Sequence, residues 1–336
     1  MSKTLSREIR LVPHPQGLPV PEDFKLVQTE VPEPGKGQVL VRNFFTSVDP
    51  YMRGRMNADS RFMPPFRLGE VLDGRAVGQV VVSNHSDLKV GDAVTSTFGW
   101  REYFVTDRTQ LTKVDPGTAS LSAHLGVLGI TGLTAWGGVE LGALKPGETL
   151  FVSAAAGAVG HLVGQLAKIR GCRVSGSAGT DEKVRLLIDE LGFDGAFNYK
   201  TGDLISKLSS LAPNGLDAYF DNVGGAQLEA ALSILHPYGR VITCGSISGY
   251  NSPSPNAPNK SSAESKHIAF LQLLSSEWRK RMGEFLTEMN ALLAEGRVKP
   301  WETVVEGLEN APQAFIGLFR GDNIGKMVVK LRYPEA

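Results

Sequence analysis

The chain has 336 residues, and its 35 Lys and Arg balance 35 Asp and Glu, leaving no net charge at neutral pH. The length points to two domains, and the even balance excludes the basic footprint of a nucleic-acid binder. No apolar run approaches a membrane span, Met1–Glu8 lacks the hydrophobic stretch of a signal peptide, and two cysteines, Cys172 and Cys244, are too few for a disulfide framework or a multi-cysteine zinc site. A soluble, cytoplasmic protein with no nucleic-acid or membrane partner is expected.

The first third alternates short β-rich runs with Gly and Pro punctuation: Gln38–Phe45, Ala76–Ser83, Ala93–Thr97 and Glu102–Thr106, with turns at Gly91-Asp92 and Asp115-Pro-Gly117. Period-2 patterning with frequent breakers predicts a compact, largely antiparallel β-barrel. The middle switches to strand–helix alternation. Strands are predicted at Thr149–Ser153, Arg173–Ser177, Gly195–Asn198, Ala218–Asp221 and Arg240–Cys244, with helices over His161–Arg170, Asp181–Glu190, Asp203–Leu211 and Ala226–Leu235. That rhythm means parallel strands joined by crossover helices, a doubly wound α/β sheet. Tyr250–Pro258, rich in Pro, Ser and Asn, reads as a surface loop; a helix over Glu277–Glu295 follows, and Lys326–Leu331 reads as a strand returning to the first domain.

The most informative stretch is Val152-Ser-Ala-Ala-Ala-Gly-Ala-Val-Gly160, between a strand and an amphipathic helix. Ala154-x-x-Gly157-x-x-Gly160 has the spacing of the dinucleotide fingerprint with alanine in place of the first glycine. Such a turn lets backbone N–H groups and a helix N-terminus meet a pyrophosphate. An NAD-binding unit then places Asp or Glu at the end of the second strand, against the ribose 2′-hydroxyl. Here that end reads Ser175-Gly-Ser-Ala-Gly-Thr180, with no acid, followed by Asp181, Glu182 and Lys183. Nothing there repels a 2′-phosphate, and Lys183 could neutralise one, so NADP(H) is favoured; the competing reading has Asp181 capping a helix and Lys183 solvated.

Eight ordered segments carry a resemblance that spans almost the whole chain: Val48-Asp-Pro-Tyr-Met-Arg53, Leu68-Gly-Glu-Val71, Val152–Gly160, Ala178-Gly-Thr-Asp-Glu-Lys183, Phe197-Asn-Tyr-Lys200, Tyr219-Phe-Asp-Asn-Val-Gly-Gly225, Cys244-Gly-Ser-Ile-Ser-Gly-Tyr-Asn251 and Gly321-Asp-Asn-Ile-Gly-Lys326. Together they resemble the medium-chain dehydrogenase/reductase superfamily and, within it, the zinc-free NADPH-dependent alkenal/one oxidoreductases, the group of leukotriene B4 12-hydroxydehydrogenase, prostaglandin reductase and curcumin reductase. The resemblance implies a GroES-like β-barrel catalytic domain from residues 1–125 and 301–336, and a Rossmann NADP-binding domain from residues 126–300. It implies a diphosphate turn at Gly157, Ala158, Val159 and Gly160, and 2′-phosphate contacts from Lys183 and Tyr199, with Gly179 also at the cofactor. Asn222 falls where a loop meets the cofactor. Cys244, Gly245, Ser246, Ile247, Ser248 and Tyr250 fall beside the nicotinamide, and Asn323 where an asparagine reaches the cofactor from the other domain. Family members usually carry a Phe-Ile-Val-type segment near the nicotinamide; this chain departs with Ala269-Phe-Leu-Gln-Leu-Leu274, which aligns Leu273 there.

The zinc-dependent branch has a cysteine and a Gly-His-Glu segment in the first domain. This chain has Leu68-Gly-Glu70 and no cysteine there, so no zinc is expected. The expected reaction is hydride transfer from NADPH to the β-carbon of an α,β-unsaturated ketone or aldehyde, with the charge on the carbonyl oxygen met by hydrogen-bond donors. Tyr250 is the candidate donor, because a phenol is neutral at pH 7 yet donates; a packed loop tyrosine is the alternative. Tyr51 is a second candidate. With Arg53 it follows the Asp49-Pro50 turn and is expected to border the cleft, against plain packing in that turn. None of the six histidines shows ligand spacing, and His161 reads as a first-turn polar residue rather than a base. Cys172 reads as structural, and Cys244 has no partner that would make it a catalytic thiol. A homodimer is expected, with the edge around Ile242–Gly245 as the pairing strand. Two other readings stand: an NADPH quinone reductase of the same superfamily, and a non-catalytic NADPH-binding protein, against which the joint presence of Tyr250, Asn323 and Lys183 argues.

Overall fold

The computed structural model describes residues 4–60, 63–117, 119–252 and 261–332. It divides into two compact units, one of Met1–Leu125, Glu302–Asn323 and Met327–Ala336, the other of Gly126–Trp301 and Ile324–Lys326. In chain order the first unit contributes β1 (Thr4–Leu11), β2 (Phe24–Val31), β3 (Gln38–Ser47), the single turn α1 (Met52–Arg55), β4 (Ala76–Ser83), β5 (Ala93–Ser96), β6 (Tyr103–Asp107) and β7 (Thr112–Lys113). The second holds α2 (Ile130–Leu141), β8 (Thr149–Val152), α3 (Gly160–Ile169), β9 (Arg173–Ala178), α4 (Asp181–Asp189), β10 (Gly195–Asn198), α5 (Leu204–Leu211), β11 (Leu216–Asp221), α6 (Gly225–Ile234), β12 (Leu235–Thr243), α7 (Ser261–Ser265), β13 (Ala269–Gln272), α8 (Ser275–Trp278) and α9 (Met282–Ala294). The chain then adds β14 (Glu302–Glu306) and α10 (Ala311–Arg320) to the first unit, and ends in β15 (Lys326–Lys330).

The first unit is built on β3. Its residues 38–42 pair with β6, its residues 45–47 with β15, and its other edge with β4, all antiparallel. Register shifts at Leu40/Val41 and Asn43/Phe45 bend the strand, which lets it serve two partners on one edge. Gly78 lies opposite the second shift, where a side chain would collide with the Arg42 carbonyl and sit 2.8 Å from the Asn43 Cα. Beneath this sheet Ile9, Leu11, Val48, Met52, Leu72, Trp100 and Phe315 form the core. Phe24 stacks on Trp100 at 5.9 Å, and Phe315 meets the indole edge-on at 6.1 Å.

The second unit is a six-stranded sheet in the order β10-β9-β8-β11-β12-β13, every pair parallel. Strands buried on both faces read as continuous apolar runs, and Leu150–Val152, Ala218–Phe220 and Val241–Ile242 are all buried. The strand order reverses between β8 and β11, and a crevice outside their carboxyl ends is where such sheets bind ligands.

Two expectations meet a different outcome, and one helix has no counterpart in the predicted elements. Helix α2 has no amphipathic stripe because Thr131–Val139 is buried almost all round, and Gly137 and Gly138 give room to Trp278 and Phe220; its glycines mask it in the sequence. The helix expected over Glu277–Glu295 breaks into α8, a 3-10 turn at Arg279–Arg281 and α9. There Trp278 packs edge-on against Trp136 at 5.8 Å and the Arg281 guanidinium lies over both rings, at 4.6 and 5.3 Å. Ile242–Gly245 is not an edge: β12 is paired on both sides, by β11 and by β13, so β13 is the border strand. The loop expected at Tyr250–Pro258 lies, beyond Ser252, outside the described residues; Ile247–Gly249 forms a 3-10 turn. Among the described residues no helix is long and apolar enough to cross a membrane.

The bulge at Gly78 gives the first test. Gly78→Ala forces the Arg42 carbonyl aside and is expected to cost about 2–3 kcal/mol, read by differential scanning calorimetry as a lowered midpoint; an unchanged midpoint contradicts the assigned packing.

Candidate functional site

The turn after β8 carries the fingerprint. Ala154, at the first glycine position, has φ 47°, the left-handed region, which costs an alanine about 1 kcal/mol. Its neighbour Ala155 donates to the Ser177 carbonyl at 2.8 Å, and Gly157 donates back to the Ala154 carbonyl at 2.9 Å. A side chain at Gly160 would meet that same carbonyl at 2.5 Å and the Ala155 Cα at 2.8 Å, so helix α3 starts directly against the strand. At Gly157 only the Ala154 carbonyl, at 3.1 Å, lies within 4 Å of a Cβ, and the space beyond is open. Among the described residues no backbone carbonyl accepts from the amides of Ala158, Val159 and Gly160. The turn therefore presents bare N–H groups at a helix N-terminus, where an anion is favoured.

His161 sits in the first turn of α3 and is 2 % exposed. Its Nδ1 lies 2.8 Å from the Gly157 carbonyl, and the Trp301 amide donates to its Nε2 at 3.2 Å. A carbonyl can only accept and an amide can only donate, so Nδ1 carries the proton and the ring is neutral. Burial pushes its pKa down to about 4.

At the end of β9, Thr180 rather than Asp181 caps α4, its Oγ1 accepting from the Lys183 amide at 3.3 Å. Asp181 Oδ1 instead accepts from Asn198 Nδ2 at 2.9 Å. Lys183 is buried. Gly179 lies under Tyr199 and Lys200: a Cβ there would be 3.4 Å from the Tyr199 hydroxyl and 3.4 Å from the Lys200 Cε. Lys200, which the sequence did not single out, thus shares the edge with Tyr199.

The carboxyl ends of β8, β11 and β12 are tied by a buried cluster. Asp221, 2 % exposed, accepts at Oδ1 from the Tyr219 hydroxyl at 2.7 Å, the Gly224 amide at 2.7 Å and the Val223 amide at 2.9 Å. Its backbone carbonyl accepts from the amides of Cys244 and Gly245, at 2.9 and 3.0 Å. Ser153 Oγ lies 2.9 Å from the Tyr219 hydroxyl, whose one proton goes to Asp221, and accepts from the Asn222 amide at 3.0 Å, while the Asn222 side chain donates to the Ser153 carbonyl at 2.8 Å. Burial raises the Asp221 and Tyr219 pKa values, and burial beside Asp221 pushes the Cys244 thiol up to about 12, so it stays protonated. One cluster therefore fixes both the loop of Asn222 and the segment Cys244–Tyr250. The signal in the sequence is Tyr219-x-Asp221, two polar groups on one face at the end of an otherwise apolar strand.

Ser246, Ile247 and Ser248 curl back on that loop: Ile247 donates to the Asn222 carbonyl at 3.2 Å, and Ser248 to the Val223 carbonyl through its amide at 3.2 Å and its Oγ at 2.6 Å. The Tyr250 hydroxyl accepts from the Ser246 amide at 3.3 Å. Among the described residues nothing accepts its proton, and burial raises its pKa, so the phenol is a neutral donor. Leu273 follows β13, donates to the Thr243 carbonyl at 3.0 Å, and is buried toward Gly138 of α2.

In the first unit Tyr51 precedes α1 and packs on the core, with its hydroxyl pKa raised by burial and by Asp49. Arg53 does not line an open cleft. It is 3 % exposed and donates to the carbonyls of Gly17 at 2.8 Å and Pro15 at 3.3 Å and to Asn57 Oδ1 at 2.6 Å, because a buried guanidinium must have its donors met. Asn323 ends the segment Glu302–Asn323 of this unit.

Two family models match, the N-terminal domain of oxidoreductase over residues 7–114 and zinc-binding dehydrogenase over residues 158–288. The NADPH-dependent curcumin reductase of Escherichia coli (strain K12) is 40% identical, with 98% of each chain covered. The NADP(+)-dependent 2-alkenal reductase of Nicotiana tabacum is 40% identical over 96% of this chain and 97% of its own. The crystal structure of CurA from Vibrio vulnificus in complex with NADPH superposes with a TM-score of 0.93 at 40% identity, covering 98% of this chain and all of that one. The chain belongs to the medium-chain dehydrogenase/reductase family. It sits in the branch of these curcumin and 2-alkenal reductases. As for zinc, among the described residues no three His, Cys, Asp or Glu side chains are grouped to hold a metal ion.

The neutral His161 makes stability pH-dependent in a defined direction. Its folded pKa lies below the 6.5 of a free histidine, so the unfolded chain takes up the proton first. The contribution is whole above pH 6.5 and is lost as pH falls toward about 4, amounting to about 2 kcal/mol by pH 5. Unfolding in urea at pH 7 and pH 5 should therefore show a smaller acid-induced loss for His161→Phe than for the wild type; equal losses contradict a buried neutral ring.

Proposed function

We propose that this chain is an NADPH-dependent reductase of the C=C bond of α,β-unsaturated ketones and aldehydes. The observation that carries the reading is the junction of β8 and α3: open amides at Ala158–Gly160, with empty space above Gly157, next to a second strand that ends without an acid. The chemistry of its curcumin and 2-alkenal reductase relatives, 40% identical over nearly the full chain, supports it.

The donor set fits the cofactor. The amides of Ala158, Val159 and Gly160 would hold the diphosphate, with Gly157 leaving room for it. Gly179, Lys183 and Tyr199 would take the 2′-phosphate. Asn222, Leu273 and the run Cys244, Gly245, Ser246, Ile247, Ser248 and Tyr250 would wall the nicotinamide, and Asn323 is a further candidate cofactor contact. When bound, NADPH supplies the hydride that adds at the β-carbon. Tyr250, already accepting from Ser246, would donate a hydrogen bond to the substrate carbonyl oxygen, where negative charge collects. The proton that finishes the reaction at the α-carbon comes from a weak acid or water. Tyr51 is a further candidate to border the substrate. Reaction needs no charged acid in this arrangement, because raised pKa values keep Tyr250 and Cys244 neutral through physiological pH.

The protein would work as a homodimer through β13, the border strand whose residues Ala269, Phe270 and Gln272 are exposed. Two free cysteines and a dependence on NADPH suit the cytoplasm.

A spectrophotometric screen of enals, enones and quinones with NADPH and NADH side by side tests the reading: enone turnover with NADPH is expected, and robust quinone turnover with inert enones overturns it. Lys183→Ala should raise the NADPH KM ~10–100-fold, the loss of one charge-assisted contact of about 1.5–3 kcal/mol, and leave NADH use little changed. Equal losses with both nucleotides remove Lys183 from the 2′-phosphate. Tyr250→Phe should lower kcat about 10-fold or more without moving the thermal midpoint; an unaltered rate removes the hydroxyl from the mechanism.

A further inference from the structure

We propose that His161 is a positioning residue that locks the diphosphate turn to the two stretches of chain entering and leaving the first unit. The argument rests on the cofactor reading above and on contacts wholly within the second unit.

The imidazole lies between two backbone groups. On one side Nδ1–H donates to the Gly157 carbonyl at 2.8 Å, a carbonyl that also accepts the His161 amide at 3.2 Å. On the other, Nε2 accepts the Trp301 amide at 3.2 Å, and the indole lies parallel to the imidazole, 5° between planes and 6.0 Å between centroids. One helical turn further on, Gln165 Nε2 donates to the His161 carbonyl at 3.0 Å and to the Lys299 carbonyl at 3.1 Å, while its Oε1 accepts the Lys299 amide at 2.7 Å. His161 and Gln165, on one face of α3, thus grip Lys299 and Trp301, the last residues before the chain enters the first unit at Glu302.

The returning chain is held to the same place. Gly325 donates to the Ala156 carbonyl at 2.8 Å and pairs with Gly157 in a parallel bridge, and Lys326 donates to the Trp301 carbonyl at 2.8 Å. Gly325 has φ 66°, and a side chain there would collide with that Trp301 carbonyl. Asn323, the residue proposed to reach the cofactor, lies only two positions before this pinned glycine. A single imidazole therefore sets the Gly157 carbonyl, orients the amides that follow it, and holds Trp301 where Gly325 can lock on. Its role acts through the backbone and not by touching substrate.

The test compares His161→Phe, which keeps a ring against Trp301 but loses both polar contacts, with His161→Asn, whose side-chain amide reproduces the Nδ1 donor. NADPH affinity is read by titration calorimetry, and the bound diphosphate by phosphorus NMR. For His161→Phe we expect a 5–20-fold weaker NADPH Kd and a matching rise in NADPH KM, with kcat within twofold and shifted diphosphate resonances; His161→Asn should recover most of the affinity. A merely structural role would lower the midpoint of unfolding but leave the Kd of the folded protein unchanged. Wild-type affinity in His161→Phe overturns the inference, as does a loss in His161→Asn as large as in His161→Phe. Failure of the wild type itself to bind NADPH would instead overturn the cofactor reading on which the inference stands.

Discussion

Helix α3 can begin where it does only because Gly160 has no side chain. Its Cα rests against the Ala154 carbonyl and the Ala155 Cα, at a separation no Cβ would allow, and this contact sets everything around it. It presses the helix N-terminus against the end of β8 and turns the amides of Ala158 and Val159 outward. It also drives His161 inward, into a place where only a neutral ring with both nitrogens satisfied is tolerable. The strain this needs is concentrated at Ala154, an alanine in left-handed geometry where the fingerprint normally has glycine. Close helix–strand contact is bought there with a small local cost.

A second constraint works beside it. Parallel strands end in loops with no hydrogen-bonding partner of their own, and a site at those ends must be held by something buried. Asp221 does this with one carboxylate oxygen and one backbone carbonyl, gathering Val223 and Gly224 on one loop and Cys244 and Gly245 on the next. Ser153 joins β8 to the same cluster. The charged group is thus kept beneath the site, in backbone positioning, while the groups facing outward are neutral donors. That division suits a reaction in which charge develops on substrate oxygen and must be met by fixed dipoles.

Much of this was legible in the sequence. Strand–helix alternation gave the parallel sheet because buried strands and amphipathic helices differ in period, and Gly195–Asn198 and Ala76–Ser83 match the structure residue for residue. The missing acid after β9 was visible as a simple absence. Elements defined by packing from elsewhere were not visible. Helix α2 is apolar all round and rich in glycine, so periodicity could not find it. Strand β13 is short and falls between the predicted loop and helix where no element is predicted, which misplaces the sheet edge at β12. Arg53 is expected at a cleft because it follows the Asp49-Pro50 turn, yet its guanidinium is met by acceptors that include residues 15, 17 and 57, which spacing alone cannot bring together. In sequence His161 is a simple first-turn residue, since its partner Trp301 lies 140 positions away.

The central claim is that hydride passes from the nicotinamide to the β-carbon of a conjugated carbonyl compound. It is tested most directly by reducing an enone with NADPH carrying deuterium at the transferring C4 position and locating the label in the product by NMR. The account predicts one deuterium at the β-carbon of a saturated ketone. Deuterium at the carbonyl carbon of an allylic alcohol would contradict it, as would a saturated ketone bearing no label.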